Sequence, residues 1–274
     1  MTDVLSENKA YFNKIAGQYD QRNADAVVQL ERGLQQKVPF IGINQGARLL
    51  DYACGTGMLS RALAEYTSES IGIDLSEDMV GVYNAQAQSQ VSFVSLGSMA
   101  YSFERIQGSD TLKGSSRKAY QGNLADPSDA SPASLSEDRF FNFDVAGVGL
   151  GFHHFDKPEL ASKRLAGRLK AGGVLFIIDF VAHEMSAEQA AGRGITHHGF
   201  TEEETKAMFE NAGLEGFGYE EFPEPITFND PHGRSHGHGH DHGHGADHSH
   251  GYGNSDNKGS GMSRRIFIAR ASKL

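Results

Sequence analysis

From Ala47 onward the chain alternates short apolar runs with amphipathic stretches, and this alternation limits the fold more than any other feature. "ARLLDY" (47–52), "SIGID" (70–74), "FFNFDVAGVGL" (140–150) and "VLFIIDFV" (174–181) read as strands. Between them, "MLSRALAEY" (58–66), "SEDMVGVYNAQAQ" (76–88) and "KPELASKRLAGRLKAGG" (157–173) carry helical spacing, the last with a glycine stop. "TEEETKAMFENAG" (201–213) is a further helix, opened by a Thr201/Glu204 capping box and closed by glycine. Strands that are apolar on both faces and separated by helices belong to a parallel sheet covered on both sides. The last two strands, "LEGFGYEEF" (214–222) and "SRRIFIARA" (263–271), have no helical pattern between them and are expected to pair as an antiparallel hairpin. The final strand is expected to stop before Ser272. The reading is therefore an α/β fold.

Ahead of this region, "ENKAYFNKIAGQYD" (7–20) and "DAVVQLERGLQQK" (25–37) are helical, the second closed by Pro39. Residues 1–40 are read as an N-terminal helical lid and 41–274 as the main domain. Two segments break the rhythm. Residues 89–116 are Ser-rich with no clean period, where a few linking residues normally suffice, and are read as an inserted loop or a gene-model artefact. Residues 232–260 hold eight of the 13 histidines in His-Gly repeats with almost no apolar side chains, and read as a disordered loop.

The formal charge of -10 argues against a non-specific nucleic-acid binder, which needs a basic face. The single cysteine, Cys54, rules out an intramolecular disulfide framework and fits a reducing compartment. The polar start "MTDVLSENKA" lacks the apolar core of a secretory signal. The longest apolar run, "GVLFIIDFVA", is broken by Asp179 and is too short to span a bilayer, so no membrane insertion is expected. Ser272-Lys273-Leu274 reads as the address bound by the peroxisomal import receptor.

"LLDYACGTGMLS" (49–60) sets a glycine turn behind a strand. A dinucleotide fingerprint would have Gly-x-Gly-x-x-Gly with pyrophosphate on the helix N-terminus. Gly55 and Gly57 meet its first two positions, whereas Ser60 stands at the third and Asp51 ends the strand. A carboxylate at that point repels pyrophosphate and suits a ligand carrying an ammonium group. This disfavours an NAD-dependent oxidoreductase and points to S-adenosylmethionine, which has an amino-acid end and no phosphate. Asp74, closing the next strand, can accept from ribose hydroxyls.

These residues resemble the class I S-adenosylmethionine-dependent methyltransferases. "LLDYACGTGMLS" and "IGIDLSEDMV" are similar to that family's first two motifs, and "FDVAGVGLGFHHF" and "LKAGGVLFIIDF" to its fourth and fifth strand segments. "YFNKIAGQYD" resembles the N-terminal lid of the ubiquinone and menaquinone C-methyltransferase subgroup. The resemblance implies a Rossmann-like, seven-stranded, mostly parallel sheet with helices on both faces and a C-terminal antiparallel hairpin. It implies S-adenosyl-L-methionine as cofactor, with Asp51, Gly55 and Gly57 around its methionine end and Asp74 on the ribose. Leu75 and Met79 fall beside the adenine, and "QGNLAD" brings Asn123, with Leu124, to the adenine amino group.

His153 and His154 follow the fourth strand, at the sheet edge where ligands bind, and either can serve as a base near neutrality. Filling the turn is the equally weighted alternative. His197 and His198 are second candidates, and Tyr11 and Tyr19 could close over the cofactor. Cys54 is read as a packed, structural thiol. Methyl transfer from a sulfonium needs no metal, so none is assigned, although the histidine tract will chelate one in a test tube. The function expected is methyl transfer to a small molecule in the peroxisome. The alternatives are a metal-binding protein built on a degenerate methyltransferase core and a protein methyltransferase.

Overall fold

The computed structural model of the protein describes residues 4–100, 115–183, 196–228 and 262–274. The histidine tract lies outside the described residues, as do residues 101–114 of the proposed insert.

The chain opens with α1 (Val4–Ile15), a single turn α2 (Tyr19–Arg22), α3 (Ala24–Gln36) and a further turn α4 (Val38–Ile41). Pro39 sits in the first turn of α4, where its missing N–H costs nothing. Then follow β1 (Ala47–Tyr52), α5 (Met58–Ala62), β2 (Thr67–Asp74), α6 (Glu77–Ala100), β3 (Ser116–Gln121) and β4 (Phe143–Gly149). The chain continues with α7 (Pro158–Arg168), β5 (Leu169–Phe180), α8 (Glu202–Asn211) and β6 (Leu214–Glu221). It closes with β7 (Ile226–Phe228), β8 (Met262–Arg264) and β9 (Ile266–Lys273).

One sheet holds seven strands in the order β3-β2-β1-β4-β5-β9-β6, and β7 and β8 form a separate pair. The pairs from β3 to β5 are parallel, and β9 runs antiparallel to both β5 and β6. This is the Rossmann-like α/β architecture the pattern implied. Residues such as Leu49, Leu50, Phe176 and Ile177 are almost fully buried because both faces of the sheet are covered. One face packs Leu30, Leu34 and Ile41 of the N-terminal helices against Leu49, Val145 and Phe176. The other packs Ala161 and Leu165 of α7 and Phe209 of α8 against Leu50, Ala146 and Phe267. The capping box of α8 is present: the Thr201 hydroxyl accepts from the Glu204 amide, and the Glu204 carboxylate accepts from the Thr201 amide.

Several boundaries differ from the pattern reading. The helix expected over 58–66 ends at Ala62, because the chain tightens into turns such as Ala64 N to Arg61 O before Thr67 enters β2. The helix expected to reach Gly173 ends at Arg168. Leu169 already pairs with Phe143, and the following glycines, with Gly172 at φ 74°, form an irregularity inside β5 rather than a helix stop. Helix α6 runs to Ala100, through the first part of the segment read as a loop. Strand β9 does not stop before Ser272: Ser272 pairs with Val174, Lys273 pairs with Leu214, and Lys273 Nζ donates to the Leu169 carbonyl at 2.7 Å. Pairing with β5 on one edge and β6 on the other carries the strand to its end.

Strand β1 lies between β2 and β4, so successive connections leave it in opposite directions along the sheet. The gap this opens beyond the C-terminal ends of β1 and β4 is where open α/β sheets bind ligands.

Candidate functional site

A cavity of about 410 Å3 occupies that gap. Its floor is the loop after β1, from Tyr52 to Thr56, together with Asp74 at the end of β2 and Gly149 to Gly151 after β4. The N-terminal helices contribute Leu5, Asn8, Phe12, Tyr19, Val27 and Leu30. A volume of this size suits a nucleoside-sized ligand.

The floor is shaped by unusual backbone. Ala53 (φ 53°) and Leu150 (φ 55°) are non-glycine residues in the left-handed region, and both line the cavity. Such strain, on the order of 1–3 kcal/mol each, persists only where surrounding structure enforces it. Gly57, at φ 95°, is the N-cap of α5, and a Cβ there would come within 2.7 Å of the Tyr83 ring. Cys54 is buried with its thiol pushed well up by burial, next by Asp74, and a Cβ on Gly72 would meet its sulfur at 2.8 Å. A protonated thiol packed against a glycine fits the structural reading of Cys54.

Asp74 Oδ2 accepts the Gly55 amide and Oδ1 accepts the Ser76 amide, each at 2.8 Å. Burial raises its pKa, and the amides act the other way. Each oxygen retains a lone pair beyond its amide bond, so the carboxylate can still receive ligand hydroxyls. Asn123 Oδ1 accepts from the Tyr52 hydroxyl at 3.1 Å and from the Ala125 amide at 2.9 Å. The same Tyr52 hydroxyl accepts from the Leu124 amide. The loop after β3 is thus hung on a tyrosine of β1.

Residues 27–217 match the methyltransferase domain family. The chain belongs to that family. Its cofactor is S-adenosylmethionine. This methyltransferase is 24% identical over 253 residues to an uncharacterized methyltransferase of Schizosaccharomyces pombe, covering 78% of this chain and 81% of that protein. Among solved structures, an S-adenosylmethionine-dependent methyltransferase of Anabaena variabilis superposes with a TM-score of 0.60 at 16% identity, covering 100% of this chain and 96% of that one. The YcgJ protein of Bacillus subtilis gives 0.56 at 16% identity, over 88% of this chain and 98% of that one. At these identities the two structures share the fold.

The methyltransferase's own residues fit the cofactor. Asp74 offers acceptors for ribose hydroxyls, and Leu75 and Met79 offer an apolar wall for a base. Of the residues picked out in sequence, Gly55, Asp74, Leu75, Met79, Asn123, His154 and Tyr19 line the cavity. Asp51, Gly57, Leu124, His153 and Tyr11 stand outside its wall. Leu124 is a core residue at 1% exposure. Asp51 lies behind the glycine loop, where its Oδ2 accepts from the Ser60 amide at 3.1 Å and the Ser60 hydroxyl at 2.7 Å. Burial raises Asp51 to about 7, against the Ser60 bonds.

The two histidines after β4 have different surroundings. The His153 ring is buried, with Nδ1 2.8 Å from Asp179 Oδ1, and the Asp179 Oδ2 accepts the His153 amide at 3.1 Å. That pairing holds the turn through a side-chain carboxylate of β5. His154 is the one on the cavity wall, edge-on to Phe12 at 5.0 Å between centroids. His197 and His198 are away from the wall, in a segment tied to the His153 carbonyl through the Thr196 and His197 amides.

Sequence reasoning missed Asn8, Asp20, Tyr52 and Thr56. Asp20 accepts from the Thr56 hydroxyl at 2.5 Å and from Gln86 Nε2 at 2.8 Å, fastening α2 onto the glycine loop. Ser76 Oγ donates to Asn13 Oδ1 at 2.5 Å, a second fastening from α1. For Asp20 the available signal was the concentration of polar residues in "YFNKIAGQYD", which a helix packed only by apolar contact would not need. Among the described residues, no group of three or more His, Cys, Asp or Glu side chains is placed to hold a metal ion. Among the same residues no helix is long and apolar enough to cross a membrane.

Proposed function

We propose that this methyltransferase transfers the methyl group of S-adenosylmethionine to a small, largely apolar acceptor. The observation that carries this is the apolar lining of the cavity by Leu5, Phe12, Val27 and Leu30, which suits a compact, apolar ligand. The cofactor supplies an electrophilic methyl on a sulfonium. Asp74 and Asn123 orient its nucleoside half, and the Gly55 turn receives its amino-acid end. Asp51, behind that turn, contributes to the methionine end through the field of its carboxylate and through the loop it supports. The N-terminal helices exclude water, and Tyr19, raised to about 12 chiefly by burial and next by Asp20, stays a neutral donor at the wall. His154 is placed to take a proton from the acceptor, with His153 positioning the turn.

The N-terminal likeness to the ubiquinone and menaquinone C-methyltransferases supports an acceptor with a ring and an apolar tail. A protein methyltransferase is less favoured by this apolar lining. The same proposal places the enzyme in peroxisomes through Ser272-Lys273-Leu274. Leu274 is 79% exposed, while Ser272 and Lys273 are strand-paired, so a receptor has to peel the end of β9 to read all three. The direct test is incubation with methyl-labelled S-adenosylmethionine and a peroxisome-enriched metabolite extract, with mass spectrometry of the products. Label found only on protein would overturn the small-molecule assignment.

A further inference from the structure

Helix α7 forms one wall of an open groove of about 450 Å3, lined by Lys163, Arg164, Arg168, Ser131, Phe141 and Leu160 among others. The groove shares no lining residue with the cofactor cavity. Three cations meet here in a chain whose formal charge is -10. Among the described residues, none of the three has a carboxylate at ion-pair distance.

Arg168 is only 6% exposed despite its charge. Its Nη1 donates to the Leu135 carbonyl at 2.6 Å and to the Phe140 carbonyl at 3.3 Å. The guanidinium lies over the Phe141 ring, 4.1 Å from its centroid. These contacts position the group without neutralising it. Burial lowers its pKa, and Arg164 acts in the same direction. A charge this buried is costly without a counter-charge, and bracing two carbonyls occupies one nitrogen of three. The other two, Nε and Nη2, make no hydrogen bond to a described residue, and neither is shut off from the surface. Their N–H groups lie along one edge of the guanidinium, the fork that receives two oxygens of a carboxylate or phosphate. Arg164 Nη1 donates to the Ala130 carbonyl and holds the loop carrying Ser131 against the helix. The acid beside it in sequence, Asp129, accepts the Ser131 amide at 3.0 Å and is not on the groove wall.

We infer that this groove is a second ligand site, in which Arg168, Lys163 and Arg164 hold the phosphate of a small phosphate monoester. Three cations suit a dianion better than the single charge of a carboxylate, and the Nε/Nη2 fork matches two phosphate oxygens. Phe141 and Leu160 give the organic part an apolar surface. The site does not draw on the acceptor reading above.

The test uses the full-length protein saturated with S-adenosylhomocysteine, so that the cofactor cavity is filled. Phenyl phosphate, benzoate and phenol are titrated by calorimetry and ligand-observed NMR in about 0.15 M salt, where long-range attraction is screened. Phenyl phosphate is expected to bind with a Kd of about 1 mM or lower, and the other two about tenfold or more weakly. Arg168→Lys keeps the charge and loses the fork, and should weaken phenyl phosphate about tenfold. Because that change also disturbs the carbonyl bonds, the double variant Lys163→Gln/Arg164→Gln gives a second reading and should weaken binding about as much. S-adenosylhomocysteine affinity should be unchanged in both. No binding of phenyl phosphate, equal binding of phenol or benzoate, or binding that the double variant retains would each overturn the inference. So would a phenyl phosphate signal that disappears as S-adenosylhomocysteine is added, which would put the probe in the cofactor cavity.

Discussion

Ser60 gives both its amide and its hydroxyl to one oxygen of Asp51, and its hydroxyl in turn accepts from Tyr83 at 2.7 Å. The serine that departs from the dinucleotide pattern is therefore the anchor of the acid that also departs from it. A glycine at 60 would leave a buried carboxylate with one amide donor and no hydroxyl. The two departures form one device, which holds the start of α5 against the end of β1.

This device makes stability depend on pH. Burial raises Asp51 to about 7, while an unfolded aspartate titrates near ~3.9. Between those values the folded protein holds a proton that the unfolded chain has released. Asp51's contribution to stability is then fully present below about pH 4, declines as pH rises to about 7, and is flat above. The slope is on the order of 1.4 kcal/mol per pH unit at most. Asp51→Asn should remove that decline, so urea denaturation of the two proteins should diverge between pH 4 and 7. Parallel pH profiles would show that Asp51 is not the titrating group.

Asp74→Ala should cut S-adenosylhomocysteine affinity tenfold or more, since bonds to a charged group are worth about 1.5–3 kcal/mol. It also releases the Gly55 and Ser76 amides, so the loop loses two of its supports. Isothermal calorimetry reads the loss. Unchanged affinity would move the ribose site elsewhere.

Gly57→Ala should destabilise the fold by about 1–3 kcal/mol. The left-handed backbone and a Cβ at 2.7 Å from the Tyr83 ring act together, and displacing Tyr83 also disturbs Ser60. The urea midpoint should fall with its m-value unchanged. A midpoint equal to the wild type would mean that the turn can reshape.

Asp20→Ala should loosen the cover formed by α1 and α2. Its bonds to Thr56 and Gln86 are partly exposed, so the global stability loss should be modest. Trypsin should cut faster after Lys14 and Arg22, and S-adenosylhomocysteine should slow the cutting in the wild type more than in the variant. Equal digestion of both proteins would show that the apolar contacts of α3 suffice.

For the location, an N-terminal fluorescent fusion should form puncta with a peroxisomal marker, and removing Leu274 should disperse them. Puncta that survive the deletion would assign import to another signal.

The sequence by itself determined the layers, the mostly parallel sheet and the glycine turn after β1. Those properties depend on local chemistry: apolar periodicity, the glycines after β1, and acids that end β1 and β2. Only the tertiary structure decided which of these groups reach the ligand. Asp51 and Asp74 look equivalent along the chain, yet one is enclosed behind the loop with Ser60 and the other faces the cavity. His153 and His154 are neighbours in sequence, yet Asp179 of β5 takes the first and leaves the second on the wall. Asn8, Asp20 and Thr56 carry no motif, because each gains its meaning from a partner far along the chain, as Asn8 does from His154. Burial and pairing across sequence distance depend on how the layers close, and no local spacing encodes that.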